Sequence, residues 1–144
     1  MIYSQDRDRL RRLWCDAWYK AQAGEPLEPL EQIIAQIVAD HPEYHSALED
    51  PGKSAGRDWL PTEGETNPFL HLGMHLALQE SFATDRPCGV REIYQTLTIR
   101  LGDTHTVEHR MMECLAETLW QAQRSARHPD EQFYANCLRR LLRN

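Results

Sequence analysis

Six of the seven histidines in this 144-residue chain fall into H-x-x-x-H pairs: His41 with His45, His71 with His75, and His105 with His109. A separation of four residues puts two side chains on one face of a helix, one turn apart. Two imidazoles placed this way can converge on a single metal ion about 2.0–2.1 Å from each ring nitrogen. The chemistry implied is metal binding through nitrogen donors, with carboxylates as their natural companions.

The three pairs differ in their surroundings. In NPFLHLGMHLALQESFA, a helical projection of roughly 100° per residue sets His71 and His75 beside Leu78 and Phe82, with Leu72 on one flank. Glu80, Gly73 and Thr84 fall on the polar side. Imidazoles in an apolar arc need a hydrogen-bond partner or an ion, because burial without either is costly. In THTVEHRMMECLAETLW, His105, His109 and Glu113 follow one another at i, i+4 and i+8, with Glu117 a further turn along. His109 lies at the border of an apolar arc that includes Met112, Ala116 and Trp120. Two facing helices, each contributing inward histidine or carboxylate groups, make a bundle-core metal site.

The expected ligands are therefore His71, His75, His105, His109 and Glu113, with Glu117 as an orienting neighbour. A mixed nitrogen and oxygen donor set suits a divalent ion such as zinc, iron or manganese better than copper(I) or a sulfur cluster. Such an ion can activate water for hydrolysis or, as non-haem iron, bind dioxygen. The Glu-x-x-His signature of di-iron carboxylate bundles is absent. The competing reading of the same residues is a buried polar network in which each histidine bonds a carbonyl or carboxylate. The His41/His45 pair is the weaker candidate, since Pro42 interrupts the turn between them. His41 is expected to close a helix, where a cation is favourable. His128, beside Pro129, reads as a helix-boundary residue.

Other chemistry is sparse. Cys15, Cys88, Cys114 and Cys137 are far apart and form no C-x-x-C, which predicts reduced thiols and a cytoplasmic protein rather than a disulfide framework. Cys88 precedes Gly89 at a predicted helix start, a position that can lower a thiol pKa, yet no paired base accompanies it. No nucleophile elbow, phosphate loop or dinucleotide fingerprint occurs. The net charge of −6 argues against a general nucleic-acid binder. Basic residues are nevertheless lopsided, with Lys20 and Lys53 the only lysines. Arginines gather at Arg7, Arg9, Arg11 and Arg12 and again at Arg139, Arg140 and Arg143. These ends are the expected contact for a protein or ribonucleoprotein partner if the chain is an adaptor rather than a metalloprotein, and otherwise form a solvated face. A third reading is a pH-responsive structural protein, because clustered histidines titrate near neutrality.

The elements that must position these side chains are helices. Leu10, Leu13, Trp14, Ala17, Trp18 and Ala21 form an apolar stripe ending at Gly24, and Leu30, Ile33, Ile34, Ile37 and Val38 form a second beginning near Pro29. Asn67-Pro68 opens the helix of His71 and His75 with a capping residue and a proline at its first position. Asp103 or Thr104 caps the helix of His105 and His109, and His128-Pro129-Asp130 separates it from a last helix, EQFYANCLRRLLR. Trp14, Trp18, Trp120, Phe69 and Phe82 sit at core spacing, and TLTI at 96–99 is a β-like run inside a helical pattern. The expected fold is all-α, a single-domain bundle of six or seven helices. Residues 50–66 are a breaker-rich loop joining two helical halves, and no apolar run reaches membrane-spanning length.

The segments NPFLHLGMHLALQE, TDRP, EHRMMECLAETLWQAQR and HPDEQFY, together with HPEYH near position 41, resemble a proteobacterial family of small proteins known as domain of unknown function 1841. The resemblance covers nearly the whole chain. It implies a bacterial cytoplasmic protein and brings with it no activity, substrate or catalytic residue.

Overall fold

The computed structural model describes the backbone of residues 2–54 and 67–143 and the side chains of 7–52 and 67–143. The fold is all-α, and no strand occurs among the described residues. Six helices have eleven residues or more: α1 (Ile2–Gln22), α2 (Pro29–Ala39), α5 (Pro68–Thr84), α6 (Val90–Leu101), α7 (Thr104–Ser125) and α8 (Glu131–Leu141). A 3-10 turn (Pro42–Tyr44) and two short helices, α3 (His45–Glu49) and α4 (Pro51–Ser54), follow α2. The TLTI run lies within α6. Part of the predicted 50–66 loop is helix α4, and the rest of it, 55–66, lies outside the described residues.

The chain forms two compact units, Met1–Leu76 and Ala77–Asn144. The boundary between them falls within α5, so His71 and His75 belong to the first and His105 and His109 to the second.

In unit 1, α1 packs on α2 and on the short helices. The stripes read from the sequence supply its core: Trp14, Ala17, Ile34, Ile37 and Val38 are buried with Leu48, Phe69 and Leu72. The stripes are narrower than predicted. Leu10 is 61% exposed, and Leu30 and Ile33 also face solvent, because they fall at the edges of arcs whose centres are already covered. Glu31 fixes the start of α2 by accepting a hydrogen bond from the Glu28 amide at 2.9 Å, and accepts another from Lys20 of α1 at the same distance. Asn67 caps α5 as expected, its Oδ1 accepting from the amides of Phe69 and Leu70 at 3.0 and 3.3 Å.

In unit 2, α6, α7 and α8 pack on one another around Val90, Leu97, Val107, Met111 and Leu138. Gly102 closes α6 with a φ of 74°, a left-handed conformation that glycine adopts without penalty. Asp103 caps α7 by accepting from the His105 amide, and Asp130 caps α8 by accepting from the amides of Gln132 and Phe133. Trp120 departs from its predicted core place. It is 53% exposed, and Arg124, one turn on, lays its guanidinium over the indole at 4.6 Å.

The cysteine expectation is corrected for two of the four residues. Cys114 of α7 and Cys137 of α8 form a disulfide, with their Cα atoms 5.7 Å apart. Sequence spacing could not reveal this, since the pairing depends on how the consecutive helices α7 and α8 pack side by side. Cys15 and Cys88 are free, the first buried and the second exposed.

Candidate metal centre

The geometry begins at the end of α2. The His41 amide bonds the Val38 carbonyl, and Pro42 directs the chain into a 3-10 turn instead of a further helical turn. His41 is 1% exposed. Its Nδ1 lies 2.7 Å from the carbonyl oxygen of Ile37. A carbonyl only accepts, so Nδ1 carries the proton, and in the neutral ring Nε2 is left with a bare lone pair. That Nε2 lies 3.1 Å from Nε2 of His75, which is 2% exposed on α5. His71, one turn before His75, completes a triangle of rings, with centroids 5.1 Å from His41 and 5.0 Å from His75.

Tyr44 forms a wall of this group. Its ring lies nearly parallel to that of His41 at 5.8 Å and meets His71 edge-on at 5.6 Å. Burial pushes its phenol pKa up, with the neighbouring carboxylate of Glu43 adding to the effect. The phenol is thereby held in its neutral form beside the imidazoles.

His45 is a different kind of histidine. Its Nε2 donates to the Val38 carbonyl at 2.8 Å, and its ring packs on Trp18 with centroids 4.5 Å apart. The 3-10 turn sends it away from His41, so the first H-x-x-x-H pair is split between two jobs. His41 joins a histidine cluster, and His45 satisfies a carbonyl.

In unit 2, His105 and His109 remain a pair on one face of α7, their ring centroids 4.1 Å apart and each offering a ring nitrogen within 4.8 Å of the other's. Between them Glu108 accepts a hydrogen bond from Gln79 at 2.8 Å, which fastens this turn of α7 to the C-terminal part of α5. Glu113 and Glu117 are on the exposed side of α7. His128 is exposed at the helix boundary.

Of the residues expected to ligate, His71 and His75 are thus brought together in unit 1, and His105 and His109 in unit 2, while Glu113 faces solvent. The residues that sequence reasoning undervalued are His41 and Tyr44. The available signal was Pro42, which forbids a further α-helical turn and so frees the His41 ring to turn inward while its other nitrogen caps α2.

The arginine-rich ends are partly solvated and partly structural. Arg9, Arg12, Arg139, Arg140 and Arg143 are exposed. Arg11 is 5% exposed, its guanidinium 5.2 Å from the centre of the Phe69 ring. No helix among the described residues is long and apolar enough to cross a membrane.

The family described as a domain of unknown function (DUF1841) matches the chain over residues 6–140. No curated protein and no solved structure matches it.

Proposed function

The chain belongs to the DUF1841 family, and from its histidine chemistry we propose that it is a metal-binding helical protein whose divalent ion is held by Nε2 of His41 and Nε2 of His75. The observation that carries this reading is their 3.1 Å separation, with the opposite nitrogen of His41 fixed on the Ile37 carbonyl. Two nitrogens bound to one tetrahedral ion stand about 3.3 Å apart, given metal–nitrogen distances of about 2.0–2.1 Å. Metal-binding histidines characteristically donate their second N–H to a carbonyl or carboxylate, which fixes the tautomer and aims the lone pair.

Two imidazoles leave a tetrahedral ion two ligands short. His71, whose ring lies beside both, is the remaining imidazole donor in this unit. An all-histidine set suits zinc or iron better than manganese, which prefers oxygen ligands. A divalent ion with an open position lowers the pKa of bound water, the basis of hydrolysis, or offers a site for dioxygen if it is iron. Within this proposal Tyr44 shields one side of the His41 ring, and its neutral phenol adds no competing charge.

The same 3.1 Å contact also fits a hydrogen bond in which His75 Nε2–H donates to His41 Nε2. Metal content separates the two readings. Protein purified without a histidine tag, loaded with zinc, manganese or iron(II) and desalted, should retain about one equivalent of one of these ions. His41→Ala and His75→Ala should each lose it, and His45→Ala should keep it. Retention below about a tenth of an equivalent after loading overturns the proposal, as does unchanged binding in the His41→Ala and His75→Ala variants.

A further inference from the structure

Unit 2 carries a histidine pair of its own, with a carboxylate between its members in sequence. Residues 105–109 read H-x-x-E-H, placing His105, Glu108 and His109 on α7. At roughly 100° per residue the three side chains fall within about 100° of arc, beside the buried Met112. All three are half-buried. The rings of His105 and His109 have centroids 4.1 Å apart, and each offers a nitrogen within 4.8 Å of the other's. Two imidazoles one turn apart and this close need only a small rotation to share an ion.

Glu108 is held in place by the rest of the unit. Gln79 of α5 donates its side-chain amide to Oε1 at 2.8 Å, which fixes the orientation of the carboxylate. Tyr94 of α6 lies close enough that, after burial, the charge of Glu108 raises its phenol. Three elements of unit 2 thus converge on one turn of α7.

We propose that His105 and His109 hold a divalent ion of their own and that Glu108 is the general base for a water on it, so that this face of α7 hydrolyses carboxylic esters or amides. H-x-x-E-H supplies two ligands and a base on one helix turn, because the carboxylate beside the second histidine can reach the ion's water without displacing a ligand. With two protein ligands, the ion keeps places for that water and for the substrate carbonyl oxygen. The water oxygen bonds to the carbonyl carbon as its proton passes to Glu108. Collapse of the adduct breaks the bond to the leaving oxygen or nitrogen, and Glu108 returns the proton to it. The products are a carboxylic acid and an alcohol or amine. The site lies wholly in unit 2 and stands whether or not the His41/His75 centre holds a metal.

Equilibrium dialysis of the full chain against zinc tests the ion, since a two-ligand site is expected to exchange during desalting. One zinc per chain is expected in His41→Ala with His75→Ala, and it should be lost when His105→Ala or His109→Ala is added. His75→Gln, whose amide keeps a hydrogen-bond donor, replaces the double variant if circular dichroism shows that variant unfolded. With zinc saturating, the wild type should hydrolyse p-nitrophenyl acetate faster than free zinc does. Glu108→Gln should slow this by on the order of 10²-fold or more at unchanged zinc content. The glutamine keeps an oxygen for Gln79, so a Glu108 that merely tied α5 to α7 would leave the rate unmoved. Zinc binding indifferent to His105 and His109, or lost entirely with His41 and His75, overturns the separate ion. A wild type no faster than free zinc, or an unchanged rate in Glu108→Gln, overturns the hydrolytic role. Loss of zinc in Glu108→Gln overturns the assignment as base, since it would make Glu108 a ligand.

Discussion

His41 and His45 are distinguished by what their ring nitrogens do. His41 gives Nδ1–H to Ile37 and keeps Nε2 for His75, whereas His45 spends Nε2–H on Val38 and presents its ring to Trp18. Replacing His45 by alanine should cost about 1–3 kcal/mol in urea denaturation, the usual penalty for leaving a partly buried acceptor without its donor, with metal content unchanged. A loss of metal as large as that in His41→Ala would show that the two histidines are not separate in role. Protons compete with metal for imidazole nitrogen, so metal affinity should fall as pH is lowered. A titration of retained metal against pH checks the direction.

A second pH effect belongs to Glu31. The hydrogen bond and charge of Lys20, with the Glu28 amide, hold its carboxyl below the usual glutamate range. A carboxyl depressed in the folded state stabilises the fold above its unfolded pKa, and that contribution is lost as pH falls through the folded value. Glu31→Gln should therefore flatten the acid limb of the stability profile, and Lys20→Met should raise the Glu31 titration midpoint measured by NMR. An unmoved midpoint would remove the Lys20 contribution.

At the scale of the element, helix ends are where local chemistry is most explicit. Asp103 and Asp130 each accept amide hydrogen bonds at the start of a helix, and the Thr106 hydroxyl, with the local amides, also holds the Asp103 carboxyl low. Asp103→Ala and Asp130→Ala should each destabilise the chain by about 1 kcal/mol. The other end of α7 predicts the opposite sign. It stops at Ala126 with a φ of 50°, a left-handed conformation that costs an L-residue about 1–2 kcal/mol. Ala126→Gly should raise stability by roughly 0.5–1 kcal/mol after the entropy of the unfolded glycine is deducted. A loss of stability would mean that the alanine methyl is worth more to packing than its backbone conformation costs. These caps were readable before any coordinates, because Asn67-Pro68, Asp103 and Asp130 stand immediately before periodic apolar segments. The split of the His41/His45 pair was only half readable. Pro42 announced a break in the helix, but which way each ring then turned depended on the carbonyls of α2 and on Trp18.

At the scale of the whole molecule, the covalent link between α7 and α8 is the least expected feature. Closing a segment of 23 residues reduces the entropy of the unfolded chain and stabilises the fold by about 3 kcal/mol on a loop-closure argument. Reduction, or Cys114→Ser with Cys137→Ser, should lower stability by that order, as read from the denaturation midpoint. Thiol counting gives an independent check. The exposed Cys88 should react in the folded protein, Cys15 should join it on unfolding, and Cys114 and Cys137 should react only after a reductant is added. Four reactive thiols on unfolding without reductant would show that the link is absent.

The sequence alone determined the all-α class, the order of the long helices and most of their caps, because apolar period, proline, glycine and capping residues act over a few neighbouring positions. It also pointed to histidine as the chemistry-bearing residue, since i,i+4 spacing is a local property. Tertiary structure alone decided that His41 rather than His45 meets His75, that Glu113 faces water while Glu108 is bonded, and that Cys114 finds Cys137. Each of these outcomes depends on how separate elements pack, which side chains are thereby covered and which atoms come within bonding reach. A one-dimensional pattern carries no such distances, because they are fixed only when the apolar faces of separate helices are buried together.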